Sequence, residues 1–164
     1  MPMRKLFAST LLILAAGLAQ AEEQRVQVHY VNTEKFADFG RSQWDRERNQ
    51  QDFKALFEEV AAKLPAGRQL SIKVLDVNLA GELEWVRRAT SEIRVLRDVT
   101  WPMVEFEYTL SENGRVLKSD TVRLSDMGYL QGGFFTAAQQ STHLRYERRM
   151  LDRWYRDTIE GRKR

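Results

Sequence analysis

The stretch from Val104 to Leu124 constrains this chain more than any other. Val104, Phe106, Tyr108 and Leu110 alternate with Glu105, Glu107 and Thr109; "SENGR" turns the chain, and "VLKSDTVRL" returns. Side chains two apart share a face of a strand, so this reads as an antiparallel hairpin with one apolar side. Two turn geometries compete for it. A two-residue Asn113-Gly114 turn pairs Leu110 with Leu117 but Val104 with Arg123. A three-residue Glu112-Asn113-Gly114 loop pairs Leu110 with Val116 and Val104 with Val122, which keeps like faces together and is the expected register.

An apolar sheet face must be covered, and two segments offer helical cover. Phe53, Leu56, Phe57, Val60, Ala61 and Leu64 recur at helical spacing, with Asn49 as expected N-cap and Pro65 and Gly67 as the stop. From about Thr142 to Glu160, Leu144, Leu151, Trp154, Tyr155 and Ile159 share a second apolar stripe, and Arg148, Arg149, Arg153 and Arg156 lie around the rest. "QRVQVHYV" reads as a half-buried strand, and "EIRVLRDVTWP" as a brief one. The segment between Asn32 and Asn49 reads as an ordered loop whose Phe36, Phe39 and Trp44 dock onto the domain. The order predicts a two-layer α+β domain: a largely antiparallel sheet of about four to five strands with two helices on one face.

One strand breaks its own rhythm. In "QLSIKVLDVNLAG" the apolar phase runs Leu70, Ile72, Val74 and then jumps to Leu75, Val77, Leu79. A bulge does this, because one extra residue swaps the face of every later side chain. The alternative is a strand covered on both faces, which would bury Asp76 and demand partners for it.

The N-terminus carries a different signal. Arg4 and Lys5, an apolar run from Leu6 to Leu18, and Ala19-Gln20-Ala21 have the layout of a signal peptide over residues 1–21. The run is short of the ~20 residues of a spanning helix. Removing 21 of 164 residues leaves 143, residues 22–164, enough for a single domain with a real core. The expected location is periplasmic or secreted, with no transmembrane segment after cleavage. With no cysteine, disulfides, thiol catalysis and thiolate metal sites are excluded. Without Arg4 and Lys5 the 26 basic residues become 24 against 23 acidic ones, a net charge of +1 that gives no general pull toward nucleic acid or membrane. The segment from Ser141 to Arg164 is locally basic.

"VNTEKFADFG", "LPAGRQLSIKVLDVNLAGELE", "IRVLRDVTWPMVEFEYTL", "LSDMGYL" and "LRYERRMLDRWY" resemble, in order and spacing, the small exported bacterial proteins of the domain of unknown function 3016 family. The Asp-Val-Asn-Leu-Ala-Gly and Trp-Pro pieces are the most specific. The chain departs at Asn78, where the resemblance implies an Asp, which counts against a two-carboxylate site there. The resemblance supports export and fold, and implies no chemistry.

Chemistry must therefore be sought residue by residue. Asp38, Asp76 and Asp126 each sit where a strand or loop ends; if those ends meet, they and Asn78 would supply hard oxygen ligands for Ca²⁺ or Mg²⁺. The plainer reading is that each accepts backbone N–H groups in a turn or bulge, since no calcium-loop spacing is present. Neither His29 nor His143 belongs to a catalytic motif, and both read as surface residues. Glu105 and Glu107 alternate along a strand and read as a solvated face. "QGGFF" lacks the lysine and spaced glycines of a phosphate loop. Phe134 and Phe135 either fold back on the core or form an apolar lip that meets a partner. The leading expectation is a non-enzymatic envelope protein that binds another protein or a cell-wall polymer, without a cofactor, through loop Met127–Gln140 and the basic helix, with Phe134, Phe135, Arg148, Arg149 and Arg153 as contacts. The alternative is a metal-dependent hydrolase using the aspartates.

Overall fold

A computed structural model describes residues 25–87, 90–131 and 143–161. The expected signal peptide and the Phe134-Phe135 pair lie outside the described residues. In chain order the elements are β1 (Val26–Tyr30), α1 (Gln43–Ala61), β2 (Arg68–Asn78), β3 (Glu82–Glu84), β4 (Ile93–Val95), β5 (Met103–Glu112), β6 (Arg115–Ser125) and α2 (Arg145–Trp154), which runs on as a π-helical turn over Tyr155–Ile159. The main sheet has the order β1-β2-β5-β6, while β3 and β4 form a separate two-stranded ribbon. β1 and β2 pair in parallel across the α1 crossover, and the remaining pairs are antiparallel.

Both helices lie on one face of the sheet, and Phe106 shows why. Its ring meets Phe57 of α1 edge-on at 5.6 Å between centroids and Trp154 of α2 at 5.0 Å. A strand residue points to a single face, so two helices touching one side chain must share that face. Tyr108, two residues on, meets Trp154 at 5.1 Å. Leu70, Ile72, Val74 and Val77 of β2 complete the floor, and most buried side chains of sheet and helices form one continuous cluster, while Tyr146 of α2 packs apart from it with Ala80 and Tyr129. The opposite face carries Lys73 paired with Glu107 and Arg123 paired with Glu105, so it is the wet side.

The bulge in β2 is present. Val74 pairs with Phe106 and Asp76 with Glu105, leaving Leu75 as the extra residue. Three expectations are corrected. The first helix starts at Gln43, because Ser42 accepts from the Asp45 N–H at 3.0 Å while the Ser42 N–H donates to the Asp45 carboxylate at 3.0 Å. This reciprocal cap satisfies two end groups and outweighs the polar composition that suggests a loop. Asn49 is instead buried within the helix and donates to the Phe39 carbonyl at 3.0 Å. Phe36 and Phe39 dock as expected, but Trp44 stands 65% exposed.

The hairpin register is corrected too. Asn113 and Gly114 both have positive φ, 50° and 80°, the signature of the two-residue turn that matches strand twist. Glu112 faces Arg115 and Ser111 faces Val116; then Leu117 bulges, so that Leu110 faces Lys118 and Val104 faces Leu124. The bulge reconciles a tight turn with facing apolar residues, a combination that neither simple register provides. Finally, α2 begins at Arg145, so His143 precedes it.

Candidate functional site

The bulge delivers the carboxyl end of β2 to a crossing point. There the segment after the 3-10 turn Thr33–Lys35 runs alongside as a short parallel extension of the sheet, with Asp38 opposite Asn78. The Asp38 N–H donates to the Val77 carbonyl at 3.0 Å and the Leu79 N–H to the Asp38 carbonyl at 3.1 Å. Asp76 accepts the Ala37 N–H at 2.8 Å, and Asn78 donates from Nδ2 to the Trp101 carbonyl at 3.0 Å. Asp76 thus ties a bulged strand end to its neighbour through the backbone. Replacing it with alanine is expected to cost about 1 kcal/mol, and Asp76→Asn, which keeps an acceptor, much less. Urea denaturation of the two variants checks this.

Beyond Asn78 the chain makes a tight corner. The Gly81 N–H donates to the Thr100 carbonyl at 2.9 Å, and a Cβ at this position would come within 2.6 Å of the Val95 carbonyl oxygen, so only glycine fits. Arg94 of β4 closes the corner by donating to the Gly81 carbonyl at 2.9 Å and to the Asp38 carboxylate at 2.7 Å. Two adjoining clefts result. One, of about 440 Å³, is walled by Asp38, Gly40, Arg41, Gly81, Glu82 and Thr100. The other, of about 620 Å³, is walled by Asp76, Trp101, Met103, Arg123, Ser125 and Met127. Ala37, Asn78 and Val99 line both, so the two form one groove across the sheet end.

The four proposed metal ligands divide between two environments. Asp38, Asp76 and Asn78 meet at the groove, whereas Asp126 is buried under α2, where Arg149 donates to it at 2.9 Å and Arg153 stands at 3.8 Å. Among the described residues no three carboxylate or imidazole side chains come close enough to hold a cation together. The arginines of α2 are likewise spoken for. Arg148 pairs with Glu59 of α1, and Arg149 also donates to the Tyr129 carbonyl at 2.7 Å. They fasten the helix to its surroundings.

His29 is exposed on the wet face. His143 lies 3.2 Å from Asn49 Oδ1 and 3.4 Å from an Asp52 carboxylate oxygen, beside a cleft of about 230 Å³. Burial pulls its pKa below the usual 6.5, against the pull of Asp52. Glu147 was reachable from sequence. It sits in the 144–147–151–154 stripe of α2 and is fully buried, with Oε1 accepting the Ala80 N–H at 2.8 Å and Oε2 lacking a partner among the described residues. Burial raises its pKa, opposed by the Ala80 hydrogen bond and by the charges of Arg94 and Arg145. A buried carboxyl therefore stands directly behind the groove corner.

No curated protein and no solved structure matches the chain. Residues 24–157, which include every strand and both helices described above, match the family described as Protein of unknown function (DUF3016), and the chain belongs to that family.

Proposed function

We propose that this is an exported cell-envelope protein that binds without turnover, holding a protein segment or a cell-wall polymer in the groove at the carboxyl end of β2. The observation that carries this reading is the pairing of the groove's charges. Asp38 is held by Arg94, Arg41 by Glu92, Arg123 by Glu105 and Asp76 by the Ala37 N–H, so apart from the exposed Glu82 the walls offer backbone groups, amides and apolar side chains. Such a lining suits recognition by shape and hydrogen bonding, whereas acid-base chemistry requires a carboxylate or imidazole poised to change its protonation. The leader-like N-terminus supports export, and no helix among the described residues is long and apolar enough to cross a membrane. A metal-dependent hydrolase on Asp38, Asp76 and Asp126 is less well supported, since Asp126 is engaged elsewhere by Arg149 and Arg153.

A photo-crosslinking amino acid at Val99, which borders both clefts, is expected to trap a discrete envelope component in growing cells. The same group at Ser119 on the wet face serves as control. Identical adduct patterns at the two positions would remove the groove from consideration.

A further inference from the structure

The exposed large apolar side chains are not scattered. Among the described residues, Trp44, Trp85, Val86, Ile93, Val99 and Met127 all stand exposed at the sheet end where β1, β2 and β6 finish and β5 begins. Val31 follows β1 at the same end and Leu130 lies in the segment after β6, while Val116 and Leu117, beside the β5–β6 turn, mark the far end. The β3–β4 ribbon carries the densest part of this cap: Trp85 is 71% exposed, with Val86 at 39% and Ile93 at 46%. The ribbon is held to the start of α1, because Arg41 pairs with Glu92 and donates to the Leu83 carbonyl at 3.2 Å. Trp44 is the second residue of α1, three positions after Arg41.

Charge distinguishes the ribbon further. Arg94 and Arg97 are neutralised by Asp38 and Glu84; of the charges without an ion pair among the described residues, Glu82 lies at the groove end of the ribbon, and the exposed Arg87 lies at its other end, next to Trp85 and Val86. Water-exposed indole and aliphatic side chains beside an uncompensated arginine match a bilayer interface. Indole settles at the headgroup level, aliphatic groups enter the acyl boundary, and guanidinium meets anionic phosphate.

We propose that the β3–β4 ribbon, through Trp85, Val86, Arg87 and Ile93, docks the protein peripherally on a bilayer containing anionic phospholipid, with the groove close to the membrane surface. The test uses protein beginning at Glu22, since Leu6–Leu18 would bind lipid by itself and the described core lies wholly within residues 25–161. Wild type is expected to sediment with vesicles of phosphatidylethanolamine and phosphatidylglycerol, and more weakly with phosphatidylcholine alone. Trp85→Ser with Ile93→Ser is expected to lower vesicle affinity by roughly tenfold or more, and Arg87→Glu to abolish the preference for anionic lipid. Val116→Ser with Leu117→Ser, at the far end, is expected to change neither.

Brominated acyl chains provide a second readout that does not depend on a disruptive substitution. They are expected to quench part of the tryptophan emission of wild type, and Trp85→Phe is expected to remove most of the quenched part. Failure of wild type to sediment with anionic vesicles overturns the proposal, as would quenching undiminished by Trp85→Phe. A ribbon that docks on a protein partner instead gives the first of these results. Loss of vesicle binding with Val99 adducts retained would overturn the membrane proposal and leave the groove reading standing.

Discussion

Phe106→Ala is expected to lower the free energy of unfolding by about 3–5 kcal/mol, the usual cost of emptying a buried phenylalanine site. The expectation rests on position as much as size. Phe106 is fully buried and is the ring that both Phe57 and Trp154 contact, so its loss opens a void between three elements. A site bounded by two helices and a strand collapses poorly, because no single side chain can shift into it without leaving its own contacts. Against a typical stability of about 5–15 kcal/mol, the loss is a large fraction of the whole. Urea denaturation followed by tryptophan emission measures it directly. A loss below about 1 kcal/mol would contradict the shared-face packing of α1 and α2.

Glu147 gives the second large effect, and its sign depends on pH. Burial raises its folded-state pKa above the ordinary 4.5, so the folded chain holds this proton more tightly than the unfolded one. The resulting stability is fully present below pH 4.5 and is lost as pH rises through the folded value. Glu147→Gln keeps an acceptor for the Ala80 N–H and cannot ionise. The two proteins should therefore be of similar stability in acid, and the glutamine variant should gain on wild type by about 1.4 kcal/mol per pH unit above that point, until the folded pKa is passed. Glu147→Ala leaves the Ala80 N–H unpaired and is expected to fall about 1–3 kcal/mol or more below the glutamine variant at every pH. Parallel denaturation series of the three proteins check both statements. A constant gap between wild type and Glu147→Gln from acid to neutral pH would sink the argument.

The fold was legible wherever a residue's face determined its burial. Alternation at Val104–Leu110 and the phase jump at Leu75 translated directly into β5 and a bulged β2, because apolar side chains on one side of a strand must find cover. Legibility failed where a few polar bonds decided the outcome. Ser42 and Asp45 start a helix in a stretch whose composition suggests a loop, and the Leu117 bulge reconciles a tight turn with facing apolar residues. The groove was only partly visible. Asp38, Asp76 and Asn78 were named from sequence and do meet, but their assembly depends on a segment about 40 positions away, held by backbone bonds that no side-chain pattern records. Glu147 had the clearest unread signal, an acid placed in register with Leu144, Leu151 and Trp154.

The location of α2 in the chain bears on how the molecule is made. Among the described residues Trp154 supplies one of the two ring contacts on Phe106 and the ring contact on Tyr108, and it lies more than forty positions after either of them. Among the described residues α1 alone gives Phe106 one ring neighbour and Tyr108 none, so the sheet face is fully roofed only when α2 closes back over β5 across a long span of chain, a slower step than forming local contacts.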